Sequence, residues 1–150
     1  MMAWTLAFLF LSVVVQAGAA PAPSESLLPR ENLERFIVDN LDLSTLRSSL
    51  GPRRGPGQRT FKDLGETSPL IGPGTIEFKS DAWLYRVEII GRGDYNKDGL
   101  EDVAVCFVDR ALKGSYTSVQ PLLLTRFGPD GRLVAIAYRI EDESCPATPP

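Results

Sequence analysis

Asp94, Asn96, Asp98 and Asp102 fall within nine residues of the stretch GRGDYNKDGLEDVAVCF, which runs from Gly91 to Phe107. Three carboxylates so close together repel unless a cation or a hydrogen-bonded turn makes the crowding tolerable. With Asp94 as position one, Asn96 is position three, Asp98 five, Gly99 six, Leu100 seven and Asp102 nine. Oxygen-bearing side chains at alternate positions converge on one centre when the chain curls, Gly99 permits the sharp turn, and the Leu100 carbonyl adds a backbone oxygen. A set of hard oxygen donors, with neither sulfur nor imidazole, matches Ca²⁺. Mg²⁺, smaller and more strongly hydrated, is the second choice. The competing interpretation is an Asx-rich hairpin turn holding no ion, since Asp, Asn and Gly are common turn residues.

The run DYNKDGLED follows a DxNxDGxxD pattern and leads into an apolar strand. It closely resembles the calcium loops of the FG-GAP and VCBS repeat families. The resemblance covers Gly93 to about Val108 and implies Asp94, Asn96, Asp98 and Asp102 as side-chain ligands, with Leu100 as a carbonyl ligand. Two features depart from those families. The loop occurs once here, whereas they stack several copies into a propeller, and Lys97 stands where a small residue or glycine is commoner. An EF-hand is disfavoured, because position twelve is Val105 rather than a bidentate Glu and the segment after the loop reads as a strand, not a helix. Arg92-Gly93-Asp94 also spells the RGD adhesion tripeptide, a three-letter match of little specificity.

Composition narrows the remaining chemistry. The 150 residues suffice for one domain; 43% are apolar and 23% charged, and the net charge is -3. That balance gives no nucleic-acid footprint. There is no histidine, which removes the usual general base, the usual zinc ligand and every Ser-His or Cys-His pair. A carboxylate-based hydrolase using Asp81, Glu88 or Asp109 survives as a rival, although no spacing among them singles out an acid-base pair.

The elements that must position the loop follow from the flanking sequence. Residues 1–19 carry the apolar run WTLAFLFLSVVV and a small-residue cleavage pattern at Ala17 and Ala19, which reads as a signal peptide despite an n-region without Lys or Arg. Export would place the mature chain outside the cytoplasm, secreted or periplasmic, with no transmembrane anchor. Residues 20–29 read as a proline-containing linker, residues 30–143 as one domain and residues 144–150 as a tail. In an oxidising compartment two cysteines favour a Cys106–Cys145 disulfide, the alternative being two free thiols.

Within the domain, Leu33, Phe36, Ile37 and Leu41 form one stripe of a helix expected over 30–41, and Asp42 or Ser44 caps a further helical turn. Residues 51–74, rich in Gly and Pro, read as a long loop made basic by Arg53, Arg54, Arg59 and Lys62, with Arg47 just before it. An arginine-rich segment over 47–62 suits an anion, an acidic glycan or another envelope component; equally, it is a solvated loop whose arginines pair with acidic residues elsewhere. Beyond Gly74 the pattern is strand-like: Tyr85, Val87 and Ile89 face one way and Arg86 and Glu88 the other. DVAVCFV is apolar on both faces, and Pro129-Asp130-Gly131 is hairpin chemistry. Pro121 implies an edge or a bulge. The expected fold class is therefore α+β, an N-terminal helix packed on a four- or five-stranded antiparallel meander. The expected function is a non-enzymatic calcium-binding domain of structural or binding role; the sequence does not name its partner, and export leaves an extracellular or envelope protein or glycan as the candidates.

Overall fold

The computed structural model describes residues 22–23, 25–47, 49–65, 69–136 and 145. The expected signal peptide lies outside them. Helix α1 (Leu33–Asn40) is followed directly by the two-residue strand β1 (Leu41–Asp42). Then come β2 (Leu70–Gly72), β3 (Thr75–Lys79), β4 (Trp83–Gly93), β5 (Asp102–Ala111), β6 (Thr117–Thr125) and β7 (Leu133–Ile136). All seven strands join one sheet in the order β1-β7-β6-β5-β4-β3-β2. The pairs are antiparallel except β1 with β7, which is parallel.

This corrects the expected helix on a four- or five-stranded antiparallel meander: the sheet has seven strands, is mixed, and curls into a half-barrel, with one eight-residue α-helix among the described residues. The curl follows from the contacts of α1, which touches both β1 and β3. Those strands are five places apart in the sheet, roughly 24 Å if it were flat at the usual inter-strand spacing. One helix reaches both only if the sheet wraps around it. The added strands are the edge strands. β1 is two residues long and continues the apolar stripe of α1 through Leu41, so it reads as the last turn of the helix; β2 is three residues inside a Gly/Pro-rich run. Neither is long enough to show a period of two.

The central features match the sequence. β5 is buried from Asp102 to Asp109. Val103, Val105 and Phe107 join the main core with Ile37, Leu41, Phe61, Ile76, Val87 and Leu124. On the opposite face Ala104 packs with Leu123, Ile90, Tyr95 and Ile136. Asp42 caps the 3-10 turn Leu43–Thr45, its Oδ1 accepting from the Ser44 N–H at 3.0 Å. Pro121, expected to mark an edge or a bulge, sits opposite Cys106 in β6, which lies between β5 and β7 rather than at an edge, and the β5–β6 register shows no bulge there.

Cys106 and Cys145 form a disulfide, with Cα atoms 5.5 Å apart. Cys106 lies on the same face of β5 as Ala104 and is fully buried. Among the described residues no helix is long and apolar enough to cross a membrane.

Candidate metal centre

The acidic loop is the connection of the β4–β5 hairpin: Gly93 pairs with Asp102, and residues 94–101 link them. Two left-handed residues shape it, Lys97 at φ 63° and Gly99 at φ 89°. Gly99 adopts that conformation freely, and Lys97 does so at a cost of about 1 kcal/mol. The glycine commoner at position four in the resembling families would carry no such side-chain strain.

The structure brings Asp94, Asn96, Asp98 and Asp102 to this one turn and shows what each now does. Asp94 is buried at 7% exposure. Its Oδ1 accepts from the Asp98 N–H and its Oδ2 from the Gly99 N–H, both at 3.0 Å. Asn96 Oδ1 accepts from the Asp98 N–H (3.0 Å), while its amide donates to Asp98 Oδ2 (2.9 Å). Asp98 Oδ1 accepts from the Leu100 N–H at 2.9 Å. Asp102 Oδ2 accepts from the N–H groups of Tyr95 (3.1 Å) and Asn96 (3.5 Å). Among the described residues no three His, Cys, Asp or Glu side chains stand together as a ready-made metal-binding group.

Asp102 carries the largest imbalance. It is fully buried, and its Oδ1 makes no hydrogen bond of good geometry; the buried Thr125 hydroxyl, itself unpaired by the same measure, is the polar group that acts on it. Burial pushes its carboxyl above the usual carboxylate range and the Asp98 charge adds to this, against the lowering effect of the Thr125 hydroxyl and the Asn96 and Tyr95 N–H groups. A buried carboxylate oxygen without a well-placed donor is expensive to keep. A cation is one partner that would meet it.

The loop is braced by the chain N-terminal to α1. Glu25 bridges Leu100: its N–H donates to the Gly99 carbonyl (3.0 Å) and its carbonyl accepts from the Glu101 N–H (2.9 Å). Arg92 Nε and Nη2 donate to Glu101 Oε1 and Oε2, each at 2.9 Å, and its Nη1 donates to the Pro29 carbonyl at 3.1 Å. The Ser26 hydroxyl also donates to Glu101. Arg92 and Ser26 together hold the Glu101 carboxyl below its ordinary value, Arg92 contributing most. Arg92 and Asp94 are thus both engaged within the fold, which leaves the RGD tripeptide without free ends.

The arginine-rich segment does not converge on one site. Arg59 pairs with buried Asp42, the pairing with acidic residues that the sequence held open. Arg53 and Arg54 are exposed, and Arg53 lines a separate cavity with Trp83, Tyr85, Asp109 and Tyr116. Among the described lining of that cavity Asp109 is the one carboxylate. Sequence reading missed the aromatic wall, because its parts come from segments far apart in the chain. No family model, curated protein or solved structure matches the chain.

Proposed function

We propose that the chain is a secreted or periplasmic calcium-binding domain, non-enzymatic, in which the ion locks the β4–β5 hairpin. Asp94, Asn96, Asp98 and Asp102 would hold the ion through side-chain oxygens and Leu100 through its carbonyl. The observation that carries this reading is Asp102 Oδ1, a fully buried carboxylate oxygen at ligand position nine that makes no hydrogen bond of good geometry, with the Thr125 hydroxyl as the competing partner. The donor chemistry agrees, being all oxygen and predominantly anionic. The resemblance to FG-GAP and VCBS loops supports the ligand assignment, and the disulfide suits an oxidising compartment. A structural role for the ion is supported by the contacts of Glu25, Ser26 and Pro29 with Gly99, Glu101 and Arg92, because ordering the loop would also order that neighbouring segment.

Calcium is expected to raise the melting temperature. Extracellular calcium modules bind with Kd on the order of 0.1–1 mM. At ten times Kd, mass action adds about 1.4 kcal/mol, a shift of several degrees. Chelator should remove the shift, magnesium at equal concentration should restore less of it, and Asp98→Ala should abolish most of the response. An unchanged melting curve in calcium and chelator, with no calorimetric binding at millimolar calcium, would leave the loop a simple turn.

A smaller effect is expected at Lys97. Lys97→Gly removes both a left-handed side chain and a positive charge near the acidic ligands. Calcium affinity should rise about two- to threefold, the size of the repulsion between a unit charge and a divalent ion several ångströms apart in a water-like dielectric after screening by ordinary salt. Calorimetry on the two proteins at one ionic strength measures it, and equal affinities would show that Lys97 does not sense the ion.

A further inference from the structure

At the end of the sheet away from the acidic loop there is a cavity of about 540 Å³, within the usual range of small-molecule sites. β4 starts there and β5 finishes there. Trp83 and Tyr85, two residues apart on one face of β4, lie nearly parallel, with ring centroids 6.2 Å apart and planes 2° apart. Tyr116, from the β5–β6 hairpin, meets Trp83 edge-on at 5.7 Å, and its hydroxyl donates to the Ser49 carbonyl at 3.1 Å. Trp83 is 37% and Tyr116 41% exposed. Trp83 and Tyr116 form a wall open to solvent, and half-buried Tyr85 joins that wall to the core.

The polar lining is sparse and specific. Asp109 pairs in register with Tyr85 and is 2% exposed. Its Oδ2 accepts from the Gly51 N–H at 2.9 Å, and Gly51 reaches it through a left-handed backbone at φ 78°. Its Oδ1 has no partner. Arg53 stands at the same cavity, exposed and able to donate. One buried carboxylate short of a donor, one exposed guanidinium and a flat aromatic wall define the ligand chemistry. An ammonium ligand would meet the Arg53 charge. A purely apolar ligand would leave Asp109 unsatisfied. A ligand with an apolar face for the rings and hydroxyl donors around its rim satisfies all three.

We infer that this cavity binds a pyranose sugar of a glycan, its C–H face laid on Trp83 and its hydroxyls donating to Asp109 and accepting from Arg53. Burial raises the Asp109 carboxyl above its ordinary value, only partly offset by the Gly51 N–H. Such a shift makes the charged form a liability: the cost is absent below about pH 3.9, the unfolded value, and complete once pH exceeds the raised folded value. The other titratable groups lining the cavity are Arg53, Tyr85 and Tyr116. Asp109→Asn is therefore expected to keep the fold and raise the melting temperature at pH 7, with the gain fading toward pH 4. A buried carboxylate kept at a stability cost at the floor of an open cavity is the pattern of a binding residue, one that reaches its ligand by a small side-chain adjustment.

The test uses the full chain carrying Trp4→Phe, so that Trp83 is the sole tryptophan. It is titrated with a panel of neutral, N-acetylated and uronic pyranose oligosaccharides, followed by fluorescence and calorimetry. Millimolar or tighter binding to at least one class is expected, with quenching or a blue shift of Trp83. Asp109→Asn should weaken that binding at least tenfold without loss of melting temperature, and Trp83→Ala should abolish it. Asp98→Ala should leave it unchanged, because the acidic loop is roughly 30 Å away at the other end of the eleven-residue β4. A different pattern of affinity between the neutral and uronic members would show how far Arg53 directs the choice. Absence of binding to every member, or undiminished binding by Asp109→Asn, overturns the inference, and neither result bears on calcium.

Discussion

Replacing both cysteines, Cys106→Ala with Cys145→Ala, is expected to cost about 4 kcal/mol of stability, by the chain-entropy relation for a closed loop of this length. The bridge joins residues 39 apart in sequence, so it removes a large share of the unfolded chain's freedom while linking positions the folded chain already places together. Cys106 is fully buried at the centre of β5, facing Glu88 on one neighbouring strand and Pro121 on the other. Alanine fits that position, so the loss comes mainly from the cross-link rather than from a large cavity. The melting temperature should fall by roughly 10–20 °C. The urea m-value should rise, because the unfolded chain expands once the bridge is gone. A loss under 1 kcal/mol with an unchanged m-value would mean that the bridge constrains little in the unfolded state. Because Cys106 lies on the same face of β5 as Asp102, two registers away from it, the double variant should also be tested for its calcium response. A retained response would show that the hairpin end of β5 holds its ligands without help from the bridge.

What the sequence made legible was local. The acidic loop is nine contiguous residues, and the hydrogen bonds that shape it run between positions two to seven apart, so its pattern survives without knowledge of the fold. The strands β3 to β7 were readable for the same reason: alternation in β4, and the apolar run of β5, reflect faces set by neighbours on both sides. The half-barrel was not readable. Its closure depends on β1 pairing parallel with β7 across some ninety residues, and two residues of β1 carry no periodicity. The cavity at Asp109 was hidden for a related reason. Tyr116 and Ser49, which meet across it, are 67 positions apart, and no spacing rule joins an isolated Tyr to a Trp on another strand. Asp109 itself was noticed only as a carboxylate. Its significance came from its burial, its unpartnered oxygen and its register with Tyr85.

Phe61 is the second residue whose loss should be severe, and the sequence offered nothing to mark it. It stands in a polar, glycine- and proline-rich stretch, with Leu64 as its one apolar neighbour at helix spacing, too little to show a period. In the fold it is 1% exposed and stacks on Phe78, with ring centroids 4.0 Å apart and planes 13° apart. Around it the loop is tied in by backbone contacts. Asp63 Oδ2 accepts from the N–H groups of Arg59 (3.0 Å) and Thr60 (2.8 Å), and the Arg59 carbonyl accepts from the Leu43 N–H (2.7 Å). These bonds shape the loop, but Phe61 is what buries it. Phe61→Ala should cost about 3–5 kcal/mol, the usual range for emptying an aromatic site in a packed core, part of it from the stacked pair with Phe78. Phe61→Leu, which keeps most of the apolar volume, should cost clearly less. The loop also carries Arg53 to the aromatic cavity, so loosening it should weaken glycan binding more than it weakens calcium binding at the far hairpin. Denaturant melts of the three proteins give the stabilities, and titrations in native buffer, where each variant remains folded, give the two affinities. Equal stability of Phe61→Ala and the parent chain would show that the loop is held by its hydrogen bonds alone. Equal losses of both affinities would show that the domain responds as one unit rather than end by end.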